Sequence, residues 1–221
     1  MKNYLLFFLI LSATTLRAQD ITKSVNLGKY ANDSLPDTRN AVFIGNSITE
    51  GWVKANPAFF SSNGYVGRGI SGQTSCQLLL RFRQDVLDLH PRVVVINVGT
   101  NDIAGNTGNY VPALTMDCIR SMAELAIYNG IKVVLTSVLP VKEYPWRKEI
   151  ADVPQKVAEL NREIRQYAVE NGFSYIDYYT ALRDEEGGLP AAYGYDGVHP
   201  TAEGYRVMEN LAKNTLDQLI H

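Results

Sequence analysis

Short apolar runs rich in β-branched residues, separated by stretches of helical period, constrain this chain more than any other feature. The runs are Ala41-Val42-Phe43-Ile44, Gly64-Tyr65-Val66, Val93-Val94-Val95-Ile96-Asn97-Val98, Ile131-Lys132-Val133-Val134-Leu135 and Phe173-Ser174-Tyr175-Ile176. Most are continuously apolar rather than alternating, the pattern of strands covered on both faces of a parallel sheet. Between them Leu78, Leu79, Phe82, Val86 and Leu89 fall on one helical stripe. Leu114, Cys118, Met122 and Leu125 make a second, and Val157, Leu160, Ile164 and Tyr167 a third. Asn129-Gly130 and Asn171-Gly172 stop two of these helices with residues that tolerate a left-handed cap. A last helix follows Pro200 and runs through Tyr205, Met208 and Leu211. This alternation of strand and helix, without an internal repeat, predicts an α/β fold: a three-layer α/β/α sandwich on a five-stranded parallel sheet with right-handed crossovers.

The 221 residues suffice for one domain around one core. The chain opens on a basic start, Met1-Lys2-Asn3, then an apolar stretch from Tyr4 to Leu11, then small residues ending near Ala18. That is the pattern of a signal peptide over residues 1–18, too short to cross a bilayer, which takes roughly 20 apolar residues. The expectation is an exported protein, periplasmic or extracellular, with no stable membrane insertion after cleavage. Residues 19–40 are polar and irregular, with Pro36, and read as an N-terminal arm leading into a domain over 41–221. A formal net charge of −2 with no concentrated basic face argues against nucleic acid as a partner. The two cysteines, Cys76 and Cys118, both fall in helical segments and make no disulfide framework, so they read as unpaired.

Ligands of such sheets bind beyond the carboxyl ends of the strands. That rule selects three loops: Gly45-Asn46-Ser47-Ile48-Thr49, Gly69-Ile70-Ser71-Gly72-Gln73 and Gly99-Thr100-Asn101-Asp102. A serine hydroxyl needs a base to become a nucleophile, and histidine suits that task near neutral pH. Of the three histidines, His221 is the final residue and His90 sits at a helix end, where capping is the plainer role; His199 remains. Asp196 lies three residues earlier, so a tight turn lets its carboxylate reach the imidazole and leaves the other ring nitrogen for a serine. Ser47 N–H, Gly72 N–H and the Asn101 side chain are candidate donors to a developing oxyanion. Each of these, taken singly, is equally an ordinary turn or capping residue.

Taken together, Phe43-Ile44-Gly45-Asn46-Ser47-Ile48-Thr49, Gly69-Ile70-Ser71-Gly72-Gln73-Thr74, Val98-Gly99-Thr100-Asn101-Asp102 and Asp196-Gly197-Val198-His199-Pro200 resemble, in order, the motif blocks of the SGNH hydrolases, which include the GDSL esterases and lipases. The resemblance runs from Val42 to about residue 210. It implies a flavodoxin-like sheet, Ser47 as nucleophile, His199 as base oriented by Asp196, and an oxyanion hole of the Ser47 amide, Gly72 and Asn101. Asp102 is assigned to structure, and no metal or organic cofactor is implied. The family often has Asp just before the serine where this chain has Asn46.

Two rival chemistries fail on residues. Gly67-Arg68-Gly69-Ile70-Ser71-Gly72 spells a dinucleotide fingerprint, but its acidic companion should end a following strand, and Asp85 and Asp88 lie in a helix. A metallohydrolase lacks H-E-x-x-H and a second well-placed histidine. A non-catalytic carbohydrate-binding module on the same scaffold is the alternative class. Tyr144, Trp146 and Tyr195 are aromatics that stack on sugar rings at the pocket rim or pack against the domain. With no inserted apolar segment to hold a long chain, the expected substrate is a short-chain, O-acetyl ester on a small molecule or glycan; a lysophospholipase or thioesterase is the alternative. Trp52 reads as core.

Overall fold

The computed structural model describes residues 21–220; the expected signal peptide lies outside them. Five parallel strands, β1 (Ala41–Gly45), β2 (Tyr65–Gly69), β3 (Val93–Asn97), β4 (Lys132–Thr136) and β5 (Ser174–Ile176), lie in the order β2-β1-β3-β4-β5. Gly45 pairs in register with Gly69 on one side and Asn97 on the other, so three carboxyl ends finish level. The chain reverses its direction of travel across the sheet at β1, which is where a crevice opens between the loops leaving β1 and β3.

The helices are α1 (Ile21–Val25), α2 (Ser47–Ala55), α3 (Pro57–Ser61), α4 (Ser75–Asp85), α5 (Thr100–Ile103), α6 (Pro112–Tyr128), α7 (Val153–Glu170), α8 (Tyr178–Leu182) and α9 (Ala202–Ile220). Successive strand residues face opposite ways. Val42, Ile44, Val94 and Ile96 therefore meet Leu78 and Phe82 of α4, Met116, Ile119 and Met122 of α6, and Val157, Leu160 and Ile164 of α7. Phe43, Val93 and Val95 meet Ile48 and Trp52 of α2, Phe60 of α3, and Met208, Ala212 and Leu216 of α9. Each such side chain, fully buried, stabilises the fold by roughly 1.5–3 kcal/mol before conformational entropy is set against it. Trp52 stacks on Phe59 and Tyr205 and donates its indole N–H to Glu209 at 3.0 Å. The α/β/α sandwich is thus the three-layer one that the strand runs imply. Among the described residues, no helix is long and apolar enough to cross a membrane.

Three local expectations are corrected. Leu114 is 51% exposed, because the inward face of α6 is built from Met116, Ile119, Ala123 and Ala126 beside Cys118 and Met122. Counting only large apolar residues overlooked the alanines that let this helix pack closely. The stripe through Leu89 is not one α-helix: α4 ends at Asp85, and Leu87–Leu89 form a 3-10 turn closed by His90 in the left-handed region (φ 49°), its N–H donating to Leu87 O. Residues 21–40 do more than lead in: α1 buries Val25 against the domain, and Arg68 pairs with Asp33 at 2.9 Å. Cys76 and Cys118 are free thiols whose sulfurs lie 3.1 Å apart.

Candidate active site

The nucleophile loop is shaped by how closely α2 approaches the sheet. A Cβ on Gly45 would stand 2.1 Å from Thr49 Oγ1, and one on Gly69 would stand 2.2 Å from the Glu50 nitrogen, so the first turn of α2 rests directly on two strand ends. Asn46 caps the helix, its Oδ1 accepting the Ile48 N–H at 3.0 Å. That acceptor role is one an Asp would fill equally, which accounts physically for either residue before Ser47. Ser47 is the first residue of α2, so its N–H has no intrahelical carbonyl and points free, with the positive end of the helix dipole behind it.

His199 comes from the loop ahead of α9. Residues 193–201 close on themselves: Tyr195 N–H donates to His199 O at 3.0 Å, Thr201 N–H to Tyr193 O at 2.8 Å, and Gly194 bridges Pro200. Within that loop Asp196 Oδ1 accepts the N–H groups of Val198 (2.9 Å) and His199 (2.7 Å), while its Oδ2 lies 2.7 Å from His199 Nδ1. Burial by itself would raise the Asp196 pKa, but the hydrogen bonds from His199 and Val198 outweigh it and hold the carboxyl below its ordinary range. A carboxylate can only accept, so Nδ1 carries the proton and Nε2 is left bare. Nε2 lies 2.9 Å from Ser47 Oγ, across 152 residues of chain. The arrangement is a serine hydroxyl, an imidazole and a carboxylate in one line of hydrogen bonds, the geometry that nucleophilic catalysis by serine requires.

Ser47, Ser71, Gly72, Asn101, Asn106, Trp146 and His199 line a cavity of about 210 Å³ over this line. Gly72 sits at φ +78° in the turn after β2, a conformation that any Cβ would strain. Asn101, on α5, is buried and uses one amide hydrogen on Gln73 O at 2.9 Å, leaving the other for a ligand. The structure therefore gathers Ser47, Gly72, Asn101 and His199 around one space, with Asp196 behind the imidazole. Asp102 is elsewhere: it is buried and accepts from the Ser75 N–H (3.1 Å), the Ser75 hydroxyl (2.5 Å) and the Thr115 hydroxyl (3.3 Å), fastening the start of α4 to α5 and α6. Burial pushes its pKa up against those bonds.

The three rim aromatics part company. Trp146 is 44% exposed with its ring centroid 6.2 Å from that of His199, and Tyr195 is 71% exposed and stacked on His199 at 5.7 Å. Tyr144 is not at the rim: it is 0% exposed, with its hydroxyl 3.2 Å from Thr100 Oγ1. The chain after β4 turns inward there, and a partner forty-four residues away satisfies a phenol that an isolated loop would leave in water. Ser71 belongs to a loop that the sequence selects, whereas nothing in the sequence points to Asn106. Asn101 lies within the single turn of α5, Asn106 N–H returns to Asn101 O at 3.0 Å, and the two side-chain amides donate to adjacent carbonyls, Gln73 O and Gly72 O.

The sequence pattern of the GDSL-like Lipase/Acylhydrolase family matches residues 43–207, most of the chain and every residue of this site. The chain belongs to that family. Among solved structures, this GDSL-family protein is similar to a GDSL-like lipase from Bacteroides thetaiotaomicron, with 52% identity and a TM-score of 0.85 over 88% of this chain and 98% of the other. It is also 27% identical to the esterase TesA of Pseudomonas aeruginosa, over 76% of this chain and 79% of that one. It is 25% identical to an acetylxylan esterase of Geobacillus stearothermophilus, over 65% of this chain and 67% of that one. As a member of the family it is a hydrolase of the esterase and lipase type.

Proposed function

We propose that this protein is an exported serine esterase that removes short acyl groups, acetyl first among them, from carbohydrates by way of an acyl-enzyme on Ser47. The hydrogen-bonded line from Asp196 through His199 to Ser47, 2.7 Å and then 2.9 Å, carries the reading. As Ser47 Oγ attacks the ester carbonyl, its proton passes to His199 Nε2. The carbonyl oxygen takes up the electron pair and sits among the Ser47 and Gly72 N–H groups and the Asn101 amide, donors fixed before the charge develops. Collapse of that adduct breaks the C–O bond, and His199 returns the proton to the departing alcohol. Water then repeats the cycle, releasing the carboxylic acid and restoring Ser47. Asp196 stays ionised and holds the imidazolium while it exists.

The size of the site supports a short acyl group, since a cavity of about 210 Å³ falls below the roughly 300–1,000 Å³ of sites that enclose drug-sized ligands. Trp146 and Tyr195, exposed on either side of His199, offer flat apolar faces to a sugar ring on the leaving-group side. Similarity to an acetylxylan esterase agrees with that choice.

The test is hydrolysis of p-nitrophenyl esters from acetate to octanoate, with Ser47→Ala as the blank, followed by a panel of acetylated oligosaccharides. Acetate should be cleaved best, and Ser47→Ala should lose about 10⁵–10⁶ in kcat. Preference for octanoate moves the assignment to lipid or thioester substrates. A folded protein that turns over no ester at all moves it to a carbohydrate-binding module. Export is checked by sequencing the N-terminus of the secreted protein, which should begin at residue 19.

A further inference from the structure

The oxyanion loop, residues 69–73, is held almost entirely from outside itself. Gly69 O accepts Lys29 Nζ at 3.1 Å and the Tyr30 hydroxyl. Ser71 N–H donates to Glu50 at 2.8 Å, and the same carboxylate pairs with Lys29 at 2.8 Å. On the far side of Gly72, the Gln73 side chain is buried with each polar atom used: Oε1 accepts Arg81 Nε at 2.6 Å, and Nε2 donates to Ser24 O at 3.1 Å and Val25 O at 2.8 Å. Arg81, itself fully buried, also donates to Gly45 O at 2.8 Å and to Asp85 at 2.7 Å. One amide and one guanidinium thus tie the arm, the end of β1 and the oxyanion loop together, while Lys29 and Tyr30 pin the loop's other end.

We infer that the docked N-terminal arm sets the geometry of the oxyanion hole, with Gln73 as the positioning residue through which it acts. The inference rests on the acyl-transfer reading above. An oxyanion donor works only when it lies about 2.7–3.1 Å from where the charge develops, and a misplacement of about 1 Å costs on the order of a hundredfold. Residues 69–73 contain two glycines; Glu50, Asn101 and Asn106 hold the middle of the loop, and the arm fixes its ends at Gly69 and the Gln73 side chain. Undocking the arm leaves the buried Gln73 Nε2 without Ser24 O and Val25 O as acceptors, which makes the docked state the low-energy one. Because the oxyanion exists only beyond the ground state, loosening the loop lowers kcat and leaves KM in place.

The experiment compares the full chain with Gln73→Leu, Val25→Asp and the double variant, reading p-nitrophenyl acetate kinetics and amide hydrogen exchange over residues 69–73. Each single variant should lose about tenfold to a hundredfold in kcat with KM within about twofold, and should exchange faster over that loop. The double variant should be no worse than the poorer single, since both undo one latch. Folded single variants with unchanged kcat and exchange, or losses that multiply in the double, would overturn the inference. Should either variant fail to fold, Tyr30→Phe, which removes only the hydroxyl on Gly69 O, is read the same way, with a kcat about threefold lower as the supporting result. If the unmodified protein shows no Ser47-dependent turnover, the acyl-transfer reading itself has failed, and the inference falls with it whatever the exchange shows. Turnover with unmoved exchange sinks the inference alone.

Discussion

The two loops that meet over Ser47 are built on opposite principles. The base loop is self-contained: Asp196 reaches Val198 and His199, two and three residues along, and the loop closes through backbone bonds between residues 193 and 201. The oxyanion loop is assembled from afar, by Glu50 at 21 residues' separation, Asn101 at 28, Asn106 at 34 and the arm at 39 to 49. A self-contained loop keeps its geometry wherever the fold sets it down. A distributed one is correct only when the whole domain is correct, so it joins catalytic competence to global folding.

That contrast is open to attack, strongest blow first. Asp196→Asn leaves an amide donor facing the imidazole and favours the wrong tautomer, so kcat should fall by about 10³–10⁴ while Tm barely moves, because the lost contacts all lie within three residues of one loop. A large drop in Tm, read by calorimetry beside the kinetics, would break the claim that the base loop stands alone. Asn101→Ala removes an oxyanion donor together with the bond to Gln73 O, and should cost about 10²–10³ in kcat with KM little changed. Its Tm should also fall, which is what separates a distributed loop from a local one. Asp102→Asn tests the frame under both: with Ser75 and Thr115 donating to a buried carboxylate, the amide should cost about 1–3 kcal/mol in urea unfolding and touch kinetics only through stability.

The smallest effect expected is acid-dependent. Burial opposes ionisation of Glu50, but its bonds to Lys29, Lys54 and Ser71 prevail and bring the pKa from an ordinary 4.5 to about 2. A carboxyl depressed in the folded state adds stability that is fully present above 4.5 and is lost as pH falls toward 2. The Tm gap between the unmodified protein and Glu50→Gln should therefore be widest at neutral pH and close between pH 4.5 and 2. A gap independent of pH would mean that the charge on Glu50 plays no part in holding the oxyanion loop.

The same contrast decides what could be read from the sequence. Four strands were legible to within a residue, because a buried parallel strand advertises itself by continuous β-branched residues such as those from Val93 to Ile96. The fifth, β2, runs three residues past Val66, unread because Gly67 and Gly69, where α2 packs close, lack the apolar side chains of a strand. The Asp196–His199 relation was legible because its geometry is set within three residues. The latch of Gln73, Arg81 and Val25 was not, since buried polar partners are chosen by tertiary approach and leave no periodic trace. Leu114 and Tyr144 misled for related reasons. A leucine on a helix is apolar whichever way it faces, and a tyrosine after a strand reads as rim until Thr100, folded next to it, takes its hydroxyl.

The close seat of α2 on Gly45 and Gly69 has one more consequence. Most helices are kept in register by interlocking side chains, which drift as those side chains are exchanged. Here the backbone of the first turn presses on Gly69 and the short Thr49 side chain on Gly45, so the helix cannot slide toward the sheet without a collision. Ser47 Oγ is therefore located by the close seat of the helix on two strand ends, and the outward side chains of α2 are free to vary while that atom keeps its address.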